Sequence, residues 1–374
     1  MAITLRLLES IDEIPRGAWD ALVAEDASPF VEWTWLACLE ESGCVGGDSG
    51  WLPRHFTLFE EGVLVAAAPA YVKLHSEGEF VFDWSWADVA SRMGLDYFPK
   101  LVFAIPFTPA AGARVLVLDP ARRAELTELV AGAARALCPE LGLSSAHALF
   151  PREAEACAWM NAGYMHRLGV QFHWKNEDFG TFEDFLATLP GKRRTQIRRE
   201  RAQIARDGLT LETLAPGALT PELARTMHRL YLTTVDKFVH GRRYLNARFF
   251  ELVAERFAHR LAWAVARKDG QIVASAFNVK KGGVLYGRYW GTFVDLPFLH
   301  FNVCFYHGID EAIREGLHTF EPGAGGEHKR VRGFAPTVTH SVHHVEDPRL
   351  ASLVRPYLER ERAAILRHVD EERG

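Results

Sequence analysis

The sequence predicts a mixed α+β fold in which one domain is built twice. Three observations predict it: two hairpin patterns at a constant offset, a helical pattern ahead of each hairpin, and a helix followed by a strand behind each. Antiparallel strands followed by a crossover helix produce a mixed sheet. A length of 374 residues is also that of roughly two domains. We therefore expect two tandem α+β domains related by internal duplication.

The two predicted hairpins lie at 55–73 and 261–280. Each consists of an apolar strand, a charged turn closed by Gly62 or Gly270, and a strand that begins Val-Ala-x-Ala. A turn residue followed by glycine between two apolar runs favours a β-hairpin. The two glycines align without a gap at an offset of 208 residues, which indicates duplication. The third strands are expected at 80–84 and 285–290.

Helical patterns flank each hairpin in the same order. One helix precedes the hairpin, and a second helix leads to a final strand. The expected helices are 30–42 and 124–137 in the first copy, and 246–258 (with Asn246 as N-cap) and 300–316 in the second. The expected final strands are 146–150 and 317–321.

This order of elements is that of the GNAT acyltransferase fold, whose central strands splay and leave a cleft for an acyl donor, by fold analogy. The polar segment 175–180 marks the predicted boundary. We expect an N-terminal domain at 1–176, a C-terminal domain with the main site at 177–345, and a C-terminal helix at 346–374.

The composition favours a cytoplasmic protein without a membrane span. A net charge of −5 argues against bulk nucleic-acid binding. The five cysteines form no C-x-x-C pair, which suits a reducing compartment. No secretory signal is visible at the N-terminus. The most apolar short run, 101–107, is far shorter than the ~20 residues that span a bilayer.

The segment 321–334 holds the densest collection of reactive side chains in the chain. Glu321, Glu327, His328 and Lys329 stand among four glycines. Glycine lets the backbone approach a ligand closely, so this mixture suits a site that binds an anion and moves a proton. The alternative interpretation is a mobile surface loop.

The segment 192–206 is expected to form a strongly basic helix with Glu200 as its one acid. Arg194 and Arg198 fall along one flank and Lys192 along another. So many cations repel each other unless an anion neutralises them. The helix therefore predicts a phosphate-contacting face for a nucleotide-linked substrate or RNA, with a solvated face as the alternative.

Several other signals predict no function. Dinucleotide, P-loop, G-x-S-x-G and H-E-x-x-H motifs are missing. The histidines at 340, 343 and 344 alternate as in a strand, so no metal site is expected. The aromatic run from Phe80 to Trp86 also alternates as in a strand, with Asp83 on the opposite face.

Together these segments resemble the FemAB-like family of peptidoglycan biosynthesis or recognition, a branch of the GNAT-like N-acyltransferases. The residues that carry the resemblance are 80–88, 97–100, 106–109, 171–174, 192–201, 285–291, 298–301, and 320–329 with Gly333 and Phe334. The wider FemABX group has two GNAT-like domains. It also has a basic helix opening the second domain, matched loosely by Lys192, Arg194, Ile197 and Arg198, and a lysine before Gly-Phe, matched by Lys329.

The resemblance implies transfer of an acyl or aminoacyl group to an amine. This reaction needs a base and groups that stabilise an oxyanion. The candidate bases are Glu321, Glu327 and His328, and the oxyanion would be stabilised by Lys329 and the N–H groups of Gly325 and Gly326. The residues expected to bind substrate or phosphate are Lys192, Arg194, Arg198, Arg288, Tyr289, Trp290, His300, Tyr306 and Arg332, with Asp83, Trp86, Lys100 and His173 as weaker contributions of the first domain.

The donor stays open at this point. FemABX enzymes take amino acids from aminoacyl-tRNA to the peptide of a cell-wall precursor, whereas many GNAT-like acyltransferases use an acyl-CoA donor. Acyl-CoA and aminoacyl-tRNA are thus both candidate co-substrates, and a small-molecule or peptide amine is the expected acceptor. The alternatives are a non-catalytic module that recognises a muropeptide and a protein that only binds RNA. The oligomeric state is not predicted.

Overall fold

The structure, a computed structural model, describes residues 2–237 and 242–373. It divides into unit 1, residues 1–170 and 338–374, and unit 2, residues 171–337. This division differs from the expected domain boundaries at 176 and 345. Residues 338–345 belong to unit 1 because Ser341–Val345 pair with the strand Ser145–Leu149. No helix in the described part of the chain is long and apolar enough to cross a membrane.

The strands of the described residues are numbered in chain order. They are β1 (Ile3–Leu8), β2 (Trp51–Pro53), β3 (His55–Glu60), β4 (Val63–Ala68), β5 (Ala70–Lys73), β6 (Lys100–Phe103), β7 (Leu116–Val117), β8 (Ser145–Leu149), β9 (Met165–Lys175), β10 (Leu209–Thr213), β11 (Ala264–Lys268), β12 (Gln271–Lys281), β13 (Val284–Thr292), β14 (Thr319–Glu321) and β15 (Ala335–Val345).

The α-helices are numbered in the same way. They are α1 (Arg16–Asp20), α2 (Trp33–Glu41), α3 (Trp84–Arg92), α4 (Arg123–Glu140), α5 (Glu153–Asn161), α6 (Phe182–Ala187), α7 (Gly191–Arg206), α8 (Pro221–Val235), α9 (Ala247–Arg256), α10 (Leu299–Phe301), α11 (His307–Arg314) and α12 (Pro348–Arg373). A π-helical turn, Asn302–Tyr306, joins α10 to α11, and a 3₁₀ turn, Glu327–Arg332, precedes β15.

Unit 1 contains two groups of paired strands. The first has the order β1-β3-β4-β7 and is antiparallel. The second has the order β2-β5-β6-β8-β15 followed by the unit 1 part of β9, with β6 and β8 parallel. Strand β15 pairs with β8 through Ser341–Val345, which is why residues beyond 338 complete this unit. The core includes Phe56, Phe103 and Trp159, all essentially buried.

Unit 2 contains the order β10-β11-β12-β13-β14, followed by the end of β9. The pairs are antiparallel except β13 with β14, which is parallel. A bulge interrupts the β12–β13 register between Phe277 and Asn278. Bulges increase local twist and redirect side chains. The core of this unit gathers Trp174, Phe185, Ile309 and Phe320.

The two expected hairpins are confirmed. In β3–β4 the turn residues Glu61 and Gly62 have φ values of 50° and 81°, and in β11–β12 Asp269 and Gly270 have 49° and 78°. Two successive positive φ values are the geometry of the tight turn that suits the strand twist. The expected helices also form, and the Asn246 side chain caps α9 by accepting the N–H of Phe249.

The expected third strand at 80–84 is wrong. Phe80 has a φ of 61°, and α3 begins at Trp84, so the chain turns here and β6 is the next strand. The physical reason is that Glu79 and Asp83 both bind the Nζ atom of Lys100, at 2.9 and 2.5 Å. In an extended strand these two residues would stand about 13 Å apart. The alternating aromatic pattern misled because Phe82 and Trp84 are exposed.

Candidate active site

A cavity opens in unit 2 where β13 and β14 part. Their parallel pairing joins Val284–Tyr286 to Thr319–Glu321, but β13 continues to Thr292. The chain after β14 runs along the other side of the gap. The cavity has a volume of about 240 Å³ and is lined by Ala276, Asn278, Gly287, Arg288, Tyr289, Trp290, His300, Cys304, Phe305, Pro322, Ala324, Gly325, Gly326, His328 and Lys329. The glycine-rich segment identified in the sequence therefore forms one wall.

Lys329 lies in this wall with 3% of its surface exposed. Its Nζ atom donates to the carbonyl oxygens of Gly323 at 2.6 Å and Ala324 at 3.2 Å. Burial lowers the pKa of Lys329 to about 8, and the nearby Arg288 adds to the effect. At neutral pH most of the molecules thus carry an ammonium group at the cavity wall.

The glycines of this wall are required by its geometry. Gly323 has a φ of 88°, and a Cβ atom there would stand 3.1 Å from the Gly287 carbonyl oxygen of β13. Gly325 and Gly326 also have positive φ values, 73° and 94°. Among the described residues, neither of their N–H groups donates to a backbone carbonyl oxygen. Both glycines line the cavity.

Two imidazoles of the cavity are neutral at pH 7. Burial lowers the pKa of His300 to about 4, and its ring centroid lies 4.5 Å from that of Trp290. The pKa of His328 is lowered by loss of hydration and by the cations Lys329 and Arg332. The two rings are 5.9 Å apart. A neutral imidazole has a nitrogen that can accept a proton, and His328 is the more exposed of the two rings.

Glu321, one of the two glutamates expected as bases, lies outside the cavity lining. This residue ends β14 and is 7% exposed. Arg288 donates to the Gly287 carbonyl oxygen at 2.8 Å, and burial lowers its pKa while Glu321 opposes the shift. The side chain of Glu327 lies outside the described part of the structure.

Arg332 and Tyr306 were expected to contact substrate, but the structure buries both beside Glu200 of α7. Arg332 is 4% exposed, and its Nη2 atom lies 2.9 Å from Glu200 Oε1. The Tyr306 hydroxyl donates to the same carboxylate. Neither residue lines the cavity. Both make their polar contacts with other groups of unit 2.

The cations of α7 are also outside the cavity lining. Arg198 binds Glu183 at 2.6 Å on the surface, and Arg194 donates to the carbonyl oxygens of Ala187 and Leu189. Lys192 is exposed. Surface pairs of this kind contribute little to stability. The two arginines that would carry RNA binding are thus held by contacts within unit 2.

The expected first-domain contributors fall into two places. Asp83 and Lys100 belong to a buried ion cluster in unit 1, where Lys100 also binds Glu79 and the Tyr97 hydroxyl donates to Asp83 at 2.7 Å. Trp86 packs on His343 at 4.9 Å between ring centroids. His173 lies in unit 2, where burial lowers its pKa to about 3 and Nε2 lies 3.2 Å from Gln171 Oε1. None of these four lines the cavity.

The lining residues that the sequence analysis missed include Asn278, Cys304 and Phe305. Asn278 enters the cavity from the bulged strand β12, and Cys304 and Phe305 lie on the π-helical turn. A bulge and a π-turn each insert one residue into a regular repeat, and neither has a reliable sequence signal. Among the described residues, no group of three or more histidine, cysteine or acidic side chains could hold a metal ion.

Comparison with known families gives a match over nearly the whole chain. The model of the FemAB-like family, described as peptidoglycan biosynthesis/recognition, matches residues 10–373. A search of curated protein sequences finds no significant match.

Several solved structures are similar. FemX aligns with a TM-score of 0.57 and 11% identity, covering 95% of this chain and 100% of FemX. The C-terminal DUF2156 domain of a putative lysylphosphatidylglycerol synthetase from Agrobacterium fabrum aligns with a TM-score of 0.57 and 15% identity. This alignment covers 92% of this chain and 95% of that domain. L-PGS from Bacillus licheniformis aligns with a TM-score of 0.53 and 12% identity, and the alignment covers 91% of this chain and 98% of L-PGS. At these identities the similarity establishes the fold, a mixed α+β fold with two tandem GNAT-like domains; the internal duplication stays a prediction.

Proposed function

Because the chain belongs to the FemAB-like family, we propose that it is an N-acyltransferase that transfers an acyl or aminoacyl group to the amine of a cell-wall peptide precursor. The observation that carries the proposal is the wall of the unit 2 cavity. Lys329, Gly325, Gly326 and His328 all line this one space, and they bring a buried ammonium group, two backbone N–H groups and a neutral imidazole to it. These are the groups that acyl transfer to an amine requires.

The reaction is an attack of the acceptor amine on the carbonyl carbon of an ester or thioester donor. The new C–N bond forms as the carbonyl oxygen becomes an oxyanion, and the C–O or C–S bond to the leaving group then breaks. His328 takes the proton that the amine loses, and the departing oxygen or sulfur atom takes up a proton. Lys329 and the N–H groups of Gly325 and Gly326 stabilise the oxyanion.

Arg288 and Lys329 are the two cations of the cavity lining, and the carboxylate that acts on Arg288, that of Glu321, lies outside the lining. This arrangement favours a positive potential in the space. A donor or acceptor that carries a carboxylate or phosphate group would be attracted to such a wall. The terminal carboxylate of a peptide acceptor and the phosphate groups of a tRNA- or CoA-linked donor both meet this description.

The test is transfer of a labelled acyl group to a peptide acceptor with a free amine, followed by mass spectrometry with acyl-CoA and aminoacyl-tRNA donors in separate reactions. Lys329→Ala should lower kcat by about 10²–10³-fold, as the loss of one oxyanion donor does elsewhere. Binding of the acceptor, measured by calorimetry, should persist. His328→Gln should also lower kcat, because the amide cannot take up the proton.

The matched control is Lys268→Ala, which removes a lysine on β11 outside the cavity. Full activity in both Lys329→Ala and His328→Gln would show that the reaction occurs elsewhere. The family description also names recognition. Acceptor binding without transfer from either donor class would favour a muropeptide-recognition module instead.

A further inference from the structure

We infer that Glu200, Arg332 and Tyr306 are positioning residues that set the place of Lys329 in the cavity wall without contacting the substrate. The inference rests on the proposed function, because it concerns the same site. These three buried side chains are called the Glu200 cluster. Its members lie on α7, on the 3₁₀ turn that carries Lys329, and on the π-helical turn of the opposite wall.

The first step is the link from Arg332 to Lys329. The Nη1 atom of Arg332 donates to the His328 carbonyl oxygen at 2.8 Å. That carbonyl belongs to the peptide bond leading into Lys329. The guanidinium thus holds the backbone next to Lys329, whose ammonium group lies at the cavity wall. A displacement of Arg332 would therefore displace Lys329.

The second step is the link from Arg332 to α7. Its Nη2 atom donates to Glu200 Oε1 at 2.9 Å and Oε2 at 3.0 Å, and its Nε atom donates to the Tyr306 hydroxyl at 2.9 Å. The guanidinium also lies 3.4 Å from the centre of the Phe301 ring. A planar guanidinium with a forked carboxylate contact has a fixed direction, which a single hydrogen bond would not impose.

The third step is the link from Glu200 to the opposite wall. The Tyr306 hydroxyl donates to Glu200 Oε2, and Asn302 Nδ2 donates to the Glu200 carbonyl oxygen at 3.0 Å. Both partners lie on the π-helical turn that brings Cys304 and Phe305 to the cavity. One carboxylate therefore ties both walls to α7.

The cluster is suited to a geometric role rather than to net stabilisation. Glu200 and Arg332 are 3% and 4% exposed, so the desolvation of both charges offsets much of their attraction. What the pair supplies is one defined arrangement of its groups. Positioning matters here, because a displacement of about 1 Å can cost roughly 100-fold in rate.

The experiment measures Lys329 itself. Competitive acetylation with acetic anhydride from pH 6 to 11, read by mass spectrometry of peptides, gives the pKa and reactivity of each lysine. In the unmodified protein the midpoint for Lys329 should lie near 8, and exposed Lys237 serves as the internal reference. The variants are Glu200→Gln and Arg332→Lys, with Glu183→Gln as the control because it removes the surface partner of Arg198 on the same helix.

In Glu200→Gln and Arg332→Lys, the Lys329 midpoint should rise by at least about one unit towards the ordinary value near 10.4, because a displaced Nζ atom regains water. The sign is diagnostic for Glu200→Gln, since loss of a nearby negative charge alone would lower the pKa of Lys329. In the transfer assay, kcat should fall about 100-fold with KM changed less than about twofold. Glu183→Gln should leave both readouts unchanged.

Folded variants with an unshifted Lys329 midpoint would overturn the inference. If Glu200→Gln does not fold, the Lys329 midpoint is measured in Tyr306→Phe, which removes one hydroxyl and keeps the ring. An unshifted midpoint in that variant would also overturn the inference. A shifted midpoint in a protein that transfers no acyl group would support the positioning role and reject the proposed function, so the two failures are distinguishable.

Discussion

At the scale of single residues, the site depends on which groups hold a proton near pH 7. Lys329 is a cation whose pKa has fallen to about 8, and His328 is the proposed base, with a pKa lowered below its usual range. Their order is the useful one: the imidazole is free to accept a proton while the amine still carries one. This combination exists only between the two pKa values.

We therefore expect a bell-shaped dependence of kcat/KM on pH. As the pH falls through the lowered pKa of His328, the imidazole gains a proton and can no longer accept one, so activity declines on the acid side. As the pH rises through about 8, Lys329 loses its charge and activity declines again. Lys329→Arg should move the alkaline limb to higher pH, because guanidinium stays charged. An alkaline limb that stays in place in Lys329→Arg would assign it to another group.

Residue spacing explains which site residues were predictable. Glu200 stands three residues after Ile197 and four before Ile204, on the buried face of α7. An acid on an apolar helical stripe calls for a buried cation, and this signal was present in the sequence. Its partner, Arg332, is 132 residues away, and no local pattern identifies it. Asn278 was not predictable, because its direction depends on a strand bulge.

At the scale of elements, the cavity depends on how closely α8 approaches β13. Gly291 of β13 has no room for a side chain, because a Cβ atom there would overlap the Leu230 carbonyl group of α8. The Thr233 hydroxyl on the same helix accepts the N–H of Thr292. Helix and strand thus meet backbone to backbone beside Tyr289 and Trp290, which line the cavity.

Gly291→Ala should destabilise the protein by about 3 kcal/mol, because overpacking here requires a backbone shift. Gly217→Ala is the control: its Cβ atom would meet nothing within 4 Å, and its effect should stay within about 0.5 kcal/mol. Denaturant unfolding followed by circular dichroism measures both. Equal stability of the two variants would show that α8 can move away from β13 at little cost.

Most elements were predictable, and the exception has a physical cause. The hairpins and helices follow from local turn and periodicity signals. The segment 80–84 alternates as a strand does, but the carboxylates of Glu79 and Asp83 converge on Lys100 instead. Ion pairs with Lys100, which is distant in sequence, determine the local structure of this segment. The alternating pattern contains no information about such contacts.

At the scale of the whole molecule, each unit holds its own buried ion cluster. In unit 1, Lys100 is fully buried with Glu79 and Asp83. Burial raises the pKa of Glu79 to about 7. Burial also acts to raise the pKa of Asp83, but the charge and hydrogen bond of Lys100 oppose it, and the pKa of Asp83 is lowered. In unit 2, the Glu200 cluster has the comparable arrangement. The two clusters share no residue, so their effects should be separable.

Lys100→Met should destabilise unit 1 by about 3–5 kcal/mol, since it leaves buried carboxylates without their cation. The Lys329 acetylation midpoint in unit 2 should not change. Arg92→Met is the control, because it breaks an exposed pair with Asp88 and should cost less than about 1 kcal/mol. Urea unfolding measures the stabilities. A Lys100→Met protein as stable as Arg92→Met would show that the unit 1 cluster tolerates loss of its lysine.

The division of the chain was the least predictable feature. The polar segment at 175–180 suggested a boundary, but the unit limit falls inside β9, at residue 170. The return of residues 338–374 to unit 1 depends on the pairing of β15 with β8. Pairing between residues almost 200 positions apart is a non-local contact, and hydropathy within a window does not report it.

The discontinuity of unit 1 has a consequence for synthesis on the ribosome. Residues 171–337 form unit 2 as one continuous stretch, so this unit can fold as soon as it emerges. Unit 1 begins first but lacks β15 until after unit 2 has been translated. During that interval the β8 edge that β15 later covers is an open strand, the kind of edge that recruits other chains. We therefore expect unit 2 to complete its fold before unit 1, which would reverse the order of translation.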